Sequence, residues 1–280
     1  MAFFNLFKEK IIEPTIHENE QGLNLYEGAH ILYNCNKVSL DGSAVILESH
    51  NCTYTSIKGG AKIQILNSGK INEASGKAKI GFMKDSYISV CKGNVEITTL
   101  NSGSIDYCKG KTFIRTMNNG NIKFLDNRAK IDTMNNGKIL YLRDNSKIGT
   151  MNNGSIEAIT DSSCISTIQN GKINYVLDKA YIGTINHCTV GEVCDNTEIG
   201  TFGDGVINVI VGNSLVCQQM GGKISVKQNS SIVVYTPKKE KHKRLKKQET
   251  VQEVNSKQET EIKPAEKIEQ TSMLDMGENK

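Results

Sequence analysis

The chain has 280 residues, 25 of them glycine, with no tryptophan and only 6% aromatic side chains, so a conventional aromatic-rich globular core is poorly supplied. It lacks both a basic, apolar leader and any apolar run of about 18 residues, which excludes a helical membrane span and predicts a cytosolic protein with reduced thiols. The net charge of +4 is local: residues 238–247 hold seven Lys or Arg and one Glu, a block of +6, and leave the rest of the chain near −2.

Residues 1–14 open with Met-Ala-Phe-Phe-Asn-Leu-Phe-Lys-Glu-Lys-Ile-Ile and close on Pro14. On a helix, Phe3, Leu6, Phe7 and Ile11 would share one face. Phe3, Phe4, Leu6 and Phe7 are therefore candidates for an interfacial membrane anchor, with a cap over the first coil as the reading ahead of it.

From about residue 40 onward a period of seventeen governs the sequence. One column runs Tyr54, Ile71, Ile88, Ile105, Ile122, Ile139, Ile156, Ile173, Val190, Ile207, Ile224. A second runs Ile46, Ile63, Ile80, Ile97 and onward through Ile199 to Val216 and Val233. Two more follow three residues later, one of Leu and Met (Leu66, Met83, Leu100, Met117), one mixed (Ile57, Ala74, Cys91, Cys108, Leu125). A helix repeats on 3.6 residues and a lone sheet on 2, so this period fits neither. It predicts a chain that turns once per seventeen residues, a parallel β-solenoid of about 12 coils over residues 15–235, each rising ~4.8 Å on the last.

The corners agree. One corner column reads Gly59, Gly76, Gly93, Gly110, Asn127, Asp144, Asp161, Asp178, Asp195, Gly212, Asn229, residue types that tolerate positive φ. The other is Asn-Ser-Gly at 67–69 and 101–103, then Asn-Asn-Gly at 118–120, 135–137 and 152–154, where stacked amides can pair up the rod. A small column (Ala44, Ala61, Ala78, Val95, Thr112, Ala129) lies two residues before the second Ile stack. Over 21–40 the register is looser: on a strict period Leu23 and Leu40 share a column and Lys37 falls where an Ile belongs.

After Tyr235 the composition turns to Lys, Glu and Gln, and residues 236–280 read as a disordered charged tail. Lys238, Lys239, Lys241, Lys243, Arg244, Lys246 and Lys247 are the candidates for an anionic partner, a membrane surface ahead of nucleic acid. A solvated tail that keeps the rod soluble explains the same residues.

Chemistry is hard to find. No CxxC, phosphate-binding Gly loop, nucleophile elbow or HExxH motif occurs, so the chain reads as non-enzymatic, without metal, cofactor or small-molecule substrate. The Asp column at 144–195 sits at a turn, and turn chemistry explains it. His187, Cys188 and Cys194 are close in sequence, but a disrupted Asn-Asn-Gly turn accounts for the first two. Cys91 and Cys108 fall one period apart and should stack. Outward ladders of Thr (99 to 201) and of Tyr107, Phe124, Tyr141 and Tyr175 remain as surfaces for a partner, or as stacks that stabilise the sheet alone.

The apolar columns with Gly-rich turns over 40–235, the Phe-rich start at 3–7 and the charged tail after 236 together resemble the bactofilins, bacterial cytoskeletal proteins with a β-helical core between flexible tails. The resemblance implies end-to-end polymerisation without nucleotide and membrane contact through the Phe-rich start. The alternative reading is a rigid binding module or phage-type fibre that presents a ladder face to a protein or glycan.

Overall fold

A computed structural model describes residues 13–234; the candidate residues at 3–7 and 238–247 lie outside that range. Every regular element among the described residues is a strand, and all twenty-four belong to one sheet. They form a β-solenoid of about thirteen turns, with two strands to most coils. Inside the rod each strand pairs in parallel with the equivalent strand one coil before and one coil after. The Ile63 column shows the register: Ile63, Ile80, Ile97, Ile114, Ile131, Ile148, Ile165, Ile182, Ile199 and Val216 are successive partners. Ile, Val and Thr fill these strands because branched side chains suit a pleated, half-buried surface.

One coil illustrates the packing. Ala129, Ile131, Met134, Ile139 and Leu142 all face inward with no exposure. Between Ile131 and Met134 two successive residues, Asp132 and Thr133, are only partly buried. Strict alternation would turn Met134 outward, so the strand bends there and the coil closes around its core. Stacked coils merge these side chains into one continuous hydrophobic cluster from Leu32 to Val216.

The small column is also inward. Farther along it, Thr112, Ser146, Thr197 and Ser214 donate their hydroxyls to the carbonyl three residues earlier, as in Ser146 Oγ to Arg143 O at 2.6 Å and Thr197 Oγ1 to Cys194 O at 2.7 Å, while Ser163 Oγ lies 3.4 Å from Ser146 Oγ. Such bonds remove the penalty for burying these polar groups. Among the described residues only Ser230 Oγ is buried without a partner.

Both corners carry the backbone that their residues favour. The Gly/Asn/Asp corner has φ between 53° and 85° from Gly42 to Asn229. The second corner changes along the rod. Asn51, Ser68, Asp85 and Ser102 make it a left-handed turn; farther on Gly137, Gly154, Gly171 and Gly205 take φ of 115–132° instead. There the bend opens, and the two strands of a coil fuse into single strands Cys164–Val176, Tyr181–Val193 and Glu198–Val211. His187 and Cys188 therefore lie within a continuous strand and not at a disrupted turn.

The amide ladder forms in the middle of the rod. Asn118 donates to Asn101 Oδ1 at 3.4 Å, Asn135 to Asn118 at 2.9 Å and Asn152 to Asn135 at 2.8 Å. Asn135→Ala removes two of these bonds at an exposed site, and thermal or urea unfolding should register a loss of about 1 kcal/mol. A loss indistinguishable from zero would mean that the ladder decorates the turn without supporting it.

The period of seventeen fails at both ends. Thr15 pairs with His30 and Leu25 with Leu40, a spacing of fifteen; Val38 pairs with Tyr54, sixteen apart. Val38, not Lys37, thus fills the Ile position, and Leu25, not Leu23, continues the column of Leu40. Lys37 is exposed at a left-handed turn (φ 56°), where its N–H donates to Thr53 Oγ1. At the far end Val216 pairs with Ile232, so the column ends there and not on Val233. In each case the coil is one or two residues shorter than seventeen, and a shorter turn shifts the column members beyond it by the same count.

Candidate functional site

Three outward ladders and two ends are the features with chemical character. Tyr107, Phe124 and Tyr141 stack with centroids 5.0 and 5.2 Å apart and planes within 11° of parallel. Ala158 interrupts the ladder, so Tyr175 lies beyond it. Lys109 covers the Tyr107 ring at 4.7 Å and Arg143 the Phe124 ring at 4.5 Å. Arg143 also holds Asp126, only 2% exposed, with Nε to Oδ1 at 2.8 Å and Nη2 to Oδ2 at 3.2 Å. The fork fixes both side chains against the stack.

The Thr ladder is in register from Thr99 to Thr201, through Thr116, Thr133, Thr150, Thr167 and Thr184.

The carboxylates of the Asp corner act on the backbone. Asp144, Asp161 and Asp178 each donate a main-chain N–H to the carboxylate one coil on, at 3.1–3.2 Å. Asp144, Asp161, Asp178 and Asp195 line a shallow groove of about 520 Å³. Burial, and then the neighbouring carboxylate of Asp161, raise the pKa of Asp144 above the ordinary carboxylate value. A raised folded-state pKa adds stability below the unfolded value, and that contribution fades as pH rises through the folded one. Asp144→Asn keeps a side chain that tolerates left-handed backbone and removes the repulsion. The variant should be more stable than the parent at neutral pH, with the gap closing below about pH 4, where carboxylates are protonated. Melting curves at the two pH values check this, and a gap that widens in acid would contradict it.

The cysteines pack as apolar groups. Cys35, Cys52, Cys91, Cys108 and Cys188 are buried. Cys91 and Cys108 are register partners with no exposure. Contact with Cys91, then burial, pushes the Cys108 thiol well up; burial pushes Cys188 and Cys194 to about 12. These groups are thiols at neutral pH and weak nucleophiles. His187 instead faces Asp204, its Nε2 3.2 Å from Oδ2. No group of three His, Cys, Asp or Glu side chains that could hold a metal converges among the described residues.

The ends are the remaining site. Among the described residues, strands Thr15–Glu18 and Asn24–Leu25 each pair on one edge, as do Lys223–Gln228 and Ser231–Val234 at the other end. Column members inside the rod are at most 1% exposed, whereas Leu23, Leu25, Ile224 and Ile232 are only partly covered. Ile16 is 64% exposed at the first end and Met220 53% at the last. The first end is also polar inside, which the regular period concealed. His17, His30 and Ser49 occupy inward positions, and buried Tyr54 donates its hydroxyl to Ser49 Oγ at 2.6 Å.

No family model, curated protein or solved structure matches this chain. No helix among the described residues is long and apolar enough to cross a membrane.

Proposed function

We propose that this chain is a non-enzymatic structural scaffold whose rods add head to tail, in the manner that the resemblance to bactofilins implies. The observation that carries the reading is the state of the two ends. Each presents a strand edge with no partner among the described residues, beside apolar columns that stop half-covered. Such edges are templates for pairing with another chain. All pairings run parallel, so the last coil of one copy matches the first coil of the next in direction and in column order. That contact is heterologous and does not close on itself, which makes filaments.

Negative-stain electron microscopy of the purified chain, without nucleotide, tests the proposal. Filaments one solenoid wide are expected. The double variant Met220→Lys/Val226→Lys places charge on the exposed last coil, and it should yield single rods with an unchanged circular dichroism spectrum. Discrete rods from the parent chain at every concentration would refute assembly. The aromatic stack with its Arg143–Asp126 brace would then favour the second reading, a rigid module that presents that face to a partner.

A further inference from the structure

The first coils place imidazoles where the core columns elsewhere are mostly Leu, Met or Ile. His17 pairs with Leu32 in the column that continues through Ser49 and Leu66; His30 pairs with Ile46 in the column of Ile63. Both turn inward: the His17 side chain is 13% exposed and His30 9%. His17 Nε2 and His30 Nδ1 lie 3.2 Å apart, with ring centroids at 5.2 Å and planes tilted by 43°.

The other nitrogen of each ring is already engaged. His30 Nε2 lies 2.8 Å from the carbonyl oxygen of Glu27, which can only accept, so Nε2 bears the proton. His17 Nδ1 lies 2.9 Å from Glu20 Oε1, and an ionised carboxylate likewise only accepts. With both ring protons directed outward, two neutral imidazoles bring bare nitrogens face to face. Two largely buried acceptors without a donor between them are unfavourable unless a shared proton or a metal ion joins them.

We propose that His17 Nε2 and His30 Nδ1 form a binding site for a divalent ion of the zinc class. Zn–N bonds of ~2.0–2.1 Å in tetrahedral geometry set two ligand nitrogens about 3.3–3.4 Å apart, close to the separation seen here. The outward contacts to a carboxylate and a backbone carbonyl are those that orient metal-bound histidines and raise their basicity. Cys35 is not a third ligand in this arrangement, because its thiol donates to the carbonyls of His17 and Tyr33. The remaining coordination positions belong to water. The ion would tie the first coil to the second and close the polar end of the core. The inference stands apart from the assembly reading, since it concerns contacts within one chain.

Isothermal titration of the chelator-stripped, full-length chain with zinc chloride tests it. One equivalent should bind, and the melting temperature should rise with zinc and fall back with EDTA. His17→Ala and His30→Ala should each abolish the equivalent. Glu20→Gln should weaken affinity by about 10-fold or more, as expected when an orienting carboxylate is lost. A chain lacking His50, His187 and His242 should bind as the parent does. Electron paramagnetic resonance of the copper(II)-loaded parent needs no variant to fold, and coupling to two imidazole nitrogens is the expected spectrum. Coupling to fewer than two, no zinc uptake by the folded parent, or uptake undiminished in both alanine variants would each overturn the site.

Discussion

Gly154→Ala is expected to break the rod in its middle. Gly154 has φ 120°, a conformation that side chains rarely adopt. A β-carbon there would lie 2.6 Å from Gly137 O and 2.7 Å from Met134 Cε. The methionine can move, but the carbonyl belongs to the hydrogen-bonded coil below and cannot shift alone. Forbidden φ and a backbone clash act together, and a destabilisation of about 3 kcal/mol or more is expected in urea or thermal unfolding. Asp161→Gly is the contrast. Asp161 is also at positive φ, 58°, on an exposed corner, and glycine adopts that backbone freely. Its cost should stay below about 1 kcal/mol. Equal losses from the two changes would show that neither corner is read correctly.

Ile131→Ala is the second large effect. Ile131 has no exposure and sits between Ile114 and Ile148 in the longest column. Truncation removes burial from its own coil and leaves a cavity that both neighbours line, at a cost of about 2–5 kcal/mol. In a stack whose stability is nearly a sum of coil and interface contributions, the damage is local. Amide exchange should accelerate most in the coils that hold Ile114, Ile131 and Ile148. The same truncation at Ile224, partly covered in the last coil, should cost markedly less. Uniform acceleration along the whole chain would mean that the rod unfolds as one unit.

Much of this fold is legible in the sequence because each structural demand is repeated ten times over. A single Ile says little, but an Ile every seventeen residues from 63 to 199 leaves one geometry. The Gly-to-Asp corner is readable for the same reason, since the backbone at every one of those positions is left-handed. Averaging fails where a demand occurs once. The shortened turns before Val38 moved Lys37 and Leu23 out of their expected columns, and they hid the inward His17, which a strict period places at the corner of Asn34, Asn51 and Ser68. The opening of the second corner beyond Gly137 depends on how closely backbones approach one another, which residue type alone does not encode. The candidate site was legible only in part. The sequence indicates where the solenoid begins and ends, but which side chains stand there half-covered follows from the local register.

The direction of the hydrogen bonds has a mechanical consequence. Every inter-coil bond from Thr15 to Val234 runs along the stacking axis, so a pull on the two ends loads the coils in series. The outermost described coil carries the same tension as the central ones with one neighbour among the described residues, and it yields first. Each release of seventeen residues frees roughly 50–55 Å of chain, the extended length less the one rise it occupied. Such a rod resists bending through its packed interior, yet under tension it lengthens in steps and reseats coil by coil when the load is removed.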